Sequence, residues 1–290
     1  MNEPLGTSDA PREECGVIGV SSPAGDVAEQ VFFGLFALQH RGQEAAGIVS
    51  YDGKRFHSER RMGLVGDNFS RREVIDRLPG TTAVGHVRYS TTGETILRNV
   101  QPLFAELEGG GFAIGHNGNL TNGITLRKQL VREGAMMQST TDTEVINHLV
   151  ARSTYSTVVD RLIDALGKVK GAYSLLLLTN ESLIGVRDPL GVRPLVLGHL
   201  RGAWMLASET CAFDIIGAEF ARARDIRRHG IHEQAHAHAE RFQSGDHRLQ
   251  ASSIALQVPA VVGGELALGV GNESGLLRAD GADDIHQVVE

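Results

Sequence analysis

Cys15-Gly-Val-Ile-Gly-Val20 sets β-branched residues among glycines and reads as a strand whose backbone other segments approach closely. Ala45-Ala-Gly-Ile-Val-Ser-Tyr51 has the same texture and reads as a second strand. Between them Val27, Val31, Phe32, Leu35, Phe36 and Leu38 recur at three- and four-residue spacing. With Ser22, Pro23 and Asp26 as start signals, this predicts an amphipathic helix from Asp26 to His40, ending at Arg41-Gly42. Further strands are expected at 82–89, 112–116, 172–179, 182–187 and 203–207, and helices at about 122–133, 142–152 and 155–168, the last two capped by Asp142 and Ser156. Strands at the ends with helices clustered in the middle imply an α+β class, with sheets covered by helices on their outer faces.

Composition narrows the function classes. At 290 residues the chain can bury a core without disulfides. The longest unbroken aliphatic run, Leu175–Leu178, is too short to span a bilayer. Lys and Arg number 28 against 35 Asp and Glu, a net charge of −7, so the basic footprint of a nucleic-acid or anionic-lipid binder is missing. The two cysteines, Cys15 and Cys211, lie far apart with no CxxC, which fits a reducing cytoplasm and places any cysteine chemistry at one residue. The first fourteen residues carry four acidic side chains and no apolar stretch, so they are not a secretory signal.

Five polar islands stand in or beside apolar strands. They are Cys15-Gly16, His40-Arg-Gly-Gln43, His86-Val-Arg-Tyr-Ser-Thr-Thr92, His116-Asn-Gly-Asn-Leu-Thr121 and Ser139-Thr-Thr-Asp142. Taken singly, an arginine at a strand end is a snorkelling or paired residue and Asn-Gly is a turn. In this order and spacing, the islands resemble the class II glutamine amidotransferases, and within them the glutamine phosphoribosylpyrophosphate amidotransferases (amidophosphoribosyltransferases). The resemblance runs over about residues 12–220. It rests on Glu14–Val20, Ala37–Ile48, Gly85–Gly93, Gln101-Pro-Leu103, His116–Thr121, Ser139–Glu144 and Arg187-Asp-Pro-Leu-Gly-Val-Arg-Pro194. Arg88-Tyr-Ser-Thr91 stands where the sister glucosamine-phosphate synthases usually carry Arg-Trp-Ala-Thr, which supports the purine-synthesis branch.

The resemblance implies a four-layer αββα sandwich of the N-terminal-nucleophile hydrolase type and a glutaminase that uses an N-terminal cysteine. A free α-amine titrates near about 7.7–8.0 and can serve as the base for its own thiol, which a peptide nitrogen cannot. Residues 1–14 are therefore expected to be a propeptide removed by cleavage of Glu14-Cys15, by self-processing as in relatives with a propeptide. Cys15 is then implied as nucleophile, with the Asn117 side chain and the Gly118 backbone N–H as oxyanion donors. Arg88 is implied for the α-carboxylate of L-glutamine and Asp142 for its α-ammonium, with Arg41 and Gly42 lining the nucleophile pocket. Tyr89 to Asn99 is expected to be the loop that closes over glutamine. His40, His86 and His116 and Cys211 receive structural roles.

The domain reading is residues 1–14 propeptide, 15–220 glutaminase and 221–290 an atypical tail, frameshifted or irregular. The family pattern stops after Ala218-Glu-Phe220. The phosphoribosyltransferase half, with its Mg and phosphoribosylpyrophosphate, is expected to be missing from this chain, as are the cysteines for the iron–sulfur cluster of some relatives. No cofactor and no catalytic metal are expected. L-glutamine is the expected substrate, with a homo-oligomer or a separate phosphoribosyltransferase as partner and no nucleic acid or membrane. Two alternatives stand beside this. One is an unprocessed or vestigial binding or oligomerisation module. The other is a zinc protein using His232-Glu-Gln-Ala-His236, an HExxH pattern whose neighbours Arg227, Arg228 and Glu240 give it a solvated face.

Overall fold

A computed structural model describes residues 15–89 and 95–221, together with the backbone of 232–235 and 254–259. In chain order the strands are β1 (Gly16–Ser21), β2 (Ala45–Tyr51), β3 (Phe56–Met62), β4 (Thr82–Arg88), β5 (Leu103–Leu107), β6 (Gly110–Leu120) and β7 (Gly171–Thr179). Then follow β8 (Ser182–Arg187), β9 (Val196–Leu200), β10 (Ala203–Ala207), β11 (Glu219–Phe220), β12 (His232–Ala235) and β13 (Ile254–Pro259). The helices are α1 (Val27–Ala37), α2 (Val65–Phe69), α3 (Arg72–Ile75), α4 (Gly123–Arg132), α5 (Thr143–Arg152), α6 (Val158–Leu166) and α7 (Cys211–Ile216).

Two antiparallel sheets form, in the orders β11-β9-β10-β1-β4-β2-β3 and β12-β13-β8-β7-β6-β5. Their inner faces meet through Val17, Val49 and Val84 of the first sheet and Ala113, Leu176 and Leu178 of the second. The outer face of the first sheet, through Ile18, Val20 and Val87, packs on Val31 and Leu35 of α1 and Phe213 of α7. The outer face of the second, through Ile114, Leu175 and Leu177, packs on Val145 and Leu149 of α5 and Leu162 of α6. This is the expected αββα sandwich. Near-continuous apolar strands such as β7 follow from burial on both faces, each enclosed leucine contributing roughly 1.5–3 kcal/mol.

Local structure departs from expectation in instructive places. In α1, Val27, Val31 and Leu35 are buried at four-residue spacing, while Phe36 of the same pattern is 52% exposed and meets Phe32 on the outer face. Helix α6 is capped by Thr157, whose hydroxyl accepts the Asp160 N–H at 3.1 Å, rather than by Ser156. Asp142 precedes α5 but makes no cap bond, because its Oδ2 accepts the Leu120 N–H at 2.8 Å instead. Beyond residue 220, β12 and β13 extend the second sheet, with Ile254–Pro259 paired to Arg187–Ser182. The propeptide assigned to 1–14, and the rest of 221–290, lie outside the described residues.

Candidate active site

The candidate site sits where one end of β1 and β4 meets the middle of β6. Gly16 pairs with Val87, so Cys15 stands beside the last residues of β4. Its Sγ donates to the Tyr89 carbonyl at 3.3 Å and accepts the Tyr89 N–H at 3.5 Å. The residue is buried, and burial pushes the thiol above its ordinary value. The Tyr89 backbone and the Arg88 charge pull the other way, and the Asp142 charge adds to the rise. The Arg88 and Asp142 charges thus lie near enough to act on the thiol.

Arg88 is 3% exposed, a buried guanidinium that ends a wholly buried strand. Its Nη1 donates to the Asn99 carbonyl at 3.4 Å. The Asn99 side chain in turn clasps Thr140, donating to its hydroxyl at 2.7 Å and accepting its N–H at 2.9 Å. Glu144 closes the same segment by accepting the N–H groups of Gln138 and Ser139 at 2.6 and 2.9 Å. Arg88 is thus linked through Asn99 to the 138–141 segment that precedes Asp142. Residues 90–94 of the expected glutamine loop lie outside the described residues.

On β6, His116, Asn117 and Gly118 form the opposing wall. His116 accepts at its carbonyl the Nε2–H of His86 on β4 (3.1 Å), a bond that ties the two sheets together. Burial, followed by the Arg88 charge, pushes His86 down to about 3, so this ring is neutral. His116 meets the Thr143 hydroxyl through Nδ1 at 3.1 Å, while Gln101 accepts the His116 N–H at 2.8 Å and donates to the same hydroxyl at 3.1 Å. Burial also pushes His116 down. Each ring uses one nitrogen in these buried contacts, while His86 Nδ1 and His116 Nε2 have no hydrogen-bond partner.

Asn117 is fully buried and reaches across the sheets to Ser208, Nδ2 to Oγ 3.4 Å, while its Oδ1 has no partner. The Ser208 hydroxyl oxygen already accepts the Val17 N–H at 3.0 Å, leaving its own hydrogen to donate. Exchanging the amide O and N of Asn117 pairs that hydrogen with Oδ1 and turns the NH2 toward the unpartnered position. Gly118 has φ +150°, and a Cβ there would lie 2.2 Å from the Ala172 carbonyl oxygen, so only glycine fits.

Gly42 is equally constrained, because a Cβ would lie 2.6 Å from the Arg88 carbonyl carbon. Arg41 donates from Nε to the Cys15 carbonyl at 3.0 Å and from Nη1 to Glu209. Arg41 thus holds the backbone of Cys15, and Gly42 lets the chain pass against Arg88. Ser208 and Glu209 received no role from the sequence, and Asn99 only a place at the end of the expected glutamine loop. The one available signal was that Ser208-Glu209 interrupts the polarity pattern straight after an apolar strand, as the other islands do.

His40, expected to be structural, is half exposed and lies beside Glu209 and Cys211. His232–Ala235 forms a strand, whereas the HExxH pattern places its two histidines one turn apart on a helix. His236 itself lies outside the described residues. Among the described residues no helix is long and apolar enough to cross a membrane.

Known proteins resemble this chain in sequence and fold. A family model described as a glutamine amidotransferase domain matches residues 86–214. The amidophosphoribosyltransferase of Rhizobium etli is 58% identical over 221 residues, covering 76% of this chain and 44% of the relative. That of Bacillus subtilis is 43% identical over 211 residues, covering 72% and 44%. The solved glutamine phosphoribosylpyrophosphate amidotransferase of B. subtilis, complexed with ADP and GMP, superposes with a TM-score of 0.67 at 41% identity, over 72% of this chain and 45% of that one. The chain thus spans less than half the length of the curated relatives it matches. The sandwich is that of the N-terminal-nucleophile hydrolases, and the chain belongs to the glutamine amidotransferases of the amidophosphoribosyltransferase family.

Proposed function

We propose that residues 15–220 hydrolyse L-glutamine to glutamate and ammonia with Cys15 as nucleophile, once the Glu14-Cys15 bond has been cut and residues 1–14 are gone. The observation that supports this most directly is the buried Cys15 thiol lying in the fields of both Arg88 and Asp142. A free amino acid carries two opposite charges on its α-carbon, and a guanidinium fork and a carboxylate facing one pocket answer both. Because burial keeps the thiol protonated, the reaction needs a base, and the α-amine released by cleavage of Glu14-Cys15 supplies one.

The thiolate attacks the side-chain carboxamide carbon, and the developing oxyanion is met by the Asn117 NH2 and the Gly118 N–H. Collapse expels ammonia, the α-ammonium of Cys15 giving its proton to the leaving nitrogen. Water then opens the thioester to glutamate and restores the thiol. Arg41 and Gly42 hold the nucleophile's backbone. The chemistry we propose draws on side chains and backbone of this chain alone. In a full amidophosphoribosyltransferase the ammonia passes to phosphoribosylpyrophosphate in a second domain, and we assign that half-reaction to a partner or to a further part of the protein. Residues 221–290, of which β12 and β13 join the second sheet, are assigned no part in the hydrolysis.

The intact mass of the purified protein, followed by a glutamate-release assay, tests the reading. Loss of Met1–Glu14 with glutaminase activity that disappears in Cys15→Ala is expected. A processed chain that releases no glutamate, or a Cys15→Ala variant that keeps its activity, would overturn it.

A further inference from the structure

Outside the glutamine pocket, the turn that follows α1 and the start of α7 bring three dissimilar donors together. A ring nitrogen of His40, a Glu209 carboxylate oxygen and Cys211 Sγ all lie within 4.8 Å of one another. Nε2 is 3.0 Å from Glu209 Oε2, and Sγ is 3.7 Å from the same oxygen. Around a tetrahedral ion with bonds of about 2.0–2.3 Å, the nitrogen–oxygen and sulfur–oxygen edges are roughly 3.3 and 3.5 Å. The observed spacings differ from these by a few tenths of an ångström. Imidazole, carboxylate and thiolate together are a donor set suited to zinc rather than to magnesium or calcium.

Hydrogen-bond bookkeeping gives a second, independent indication. His40 Nδ1 lies 3.0 Å from the Ala37 carbonyl oxygen, which only accepts, so Nδ1 carries the ring proton. That is the support metal-bound histidines commonly have. In the neutral ring Nε2 then turns a lone pair toward Glu209 Oε2, itself an acceptor. Two acceptors 3.0 Å apart repel unless a cation or a proton lies between them. Glu209 and His40 are partly open to solvent, at 33% and 55% exposure, so an ion has a way in.

We propose that His40, Glu209 and Cys211 form a three-ligand site for a zinc-type divalent cation, with solvent at the fourth position. Burial and the Glu209 carboxylate hold the Cys211 thiol above its ordinary value, so an arriving ion displaces the thiol proton to solvent as the metal–sulfur bond forms, and nothing is oxidised. Glu209 keeps its other oxygen for Arg41, whose Nε donates to the Cys15 carbonyl. The ion therefore sits two side chains from the nucleophile's backbone. The site stands independently of glutamine hydrolysis.

Cobalt(II) titration of the full chain tests it, because a thiolate–cobalt charge-transfer band reports sulfur ligation and ignores the histidines of residues 221–290. The expected result is a band that saturates at one equivalent in Cys15→Ala, disappears in Cys211→Ser and is lost at stoichiometric metal in His40→Ala, with zinc bleaching it. His40 is exposed, so its replacement leaves the fold intact and keeps the test informative even where Cys211→Ser does not fold. The absence of any band, which would mean a proton alone bridges His40 and Glu209, overturns the proposal. A band that Cys15→Ala removes, or that His40→Ala leaves unchanged, overturns it equally.

Discussion

Cys15 Sγ lies 3.3 Å from the Tyr89 carbonyl oxygen and 3.5 Å from the Tyr89 nitrogen, so the thiol that opens β1 is held by the residue that follows β4. The contact puts the sulfur against backbone rather than against a base, and burial dominates its protonation. In the uncleaved chain, iodoacetamide should label Cys15 slowly, at a rate still climbing above about pH 8.5, the ordinary cysteine midpoint. Peptide mapping after timed alkylation reads this. A plateau below that pH would show a thiolate stabilised by something other than its described neighbours.

Arg88 is buried, and in the proposed reaction its guanidinium takes the substrate carboxylate with two parallel donors, where a lysine supplies one point charge on a shorter reach. Arg88→Lys should raise KM for glutamine about a hundredfold with a smaller change in kcat, the signature of lost substrate binding. Steady-state glutamate release over a range of glutamine concentrations gives the two parameters separately.

Ser208 joins the sheets by accepting the Val17 N–H and meeting the Asn117 amide. Ser208→Ala should destabilise the fold by about 1–3 kcal/mol in urea, the cost of a buried donor left unpaired. It should also lower kcat at nearly unchanged KM, because Asn117 loses the bond that aims its NH2. Equal losses of kcat and stability-limited active fraction, measured by active-site titration, would reduce Ser208 to a structural role.

His86 is neutral in the folded protein, pushed down to about 3 by burial and by Arg88, whereas the unfolded chain protonates it near its ordinary value of about 6.5. Between these two values the unfolded state binds the extra proton, so the stability His86 contributes is present above about pH 6.5 and is lost progressively as pH falls toward 3. Urea midpoints measured through this range should fall in the parent protein. They should fall less steeply in His86→Asn, by an amount of the order of a few kcal/mol across the window.

Much of this molecule was legible in one dimension. The strands 82–89, 112–116, 172–179 and 182–187 and the three mid-chain helices appear within a few residues of their expected places, because apolar runs and helical spacing report burial directly. β3 and β5 did not stand out, since edge strands carry charge and alternate weakly: Phe-His-Ser-Glu-Arg-Arg-Met and Leu-Phe-Ala-Glu-Leu. Cys15, Arg88 and Asp142 were singled out by motif, and the register that pairs Gly16 with Val87 brings Cys15 beside Arg88.

The sequence by itself determined the layered α+β class, the family and the set of polar islands, since each is written in local spacing and residue type. Only the tertiary structure decided that Asp142 spends an oxygen on Leu120 instead of capping its helix, that Ser208 reaches Asn117, and that His40, Glu209 and Cys211 meet. The physical reason is that Ser208 and Asn117, His40 and Glu209, and Asp142 and Leu120 are brought together from separate segments of the chain, and which polar groups meet on folding is settled by register and burial, quantities that no local pattern encodes.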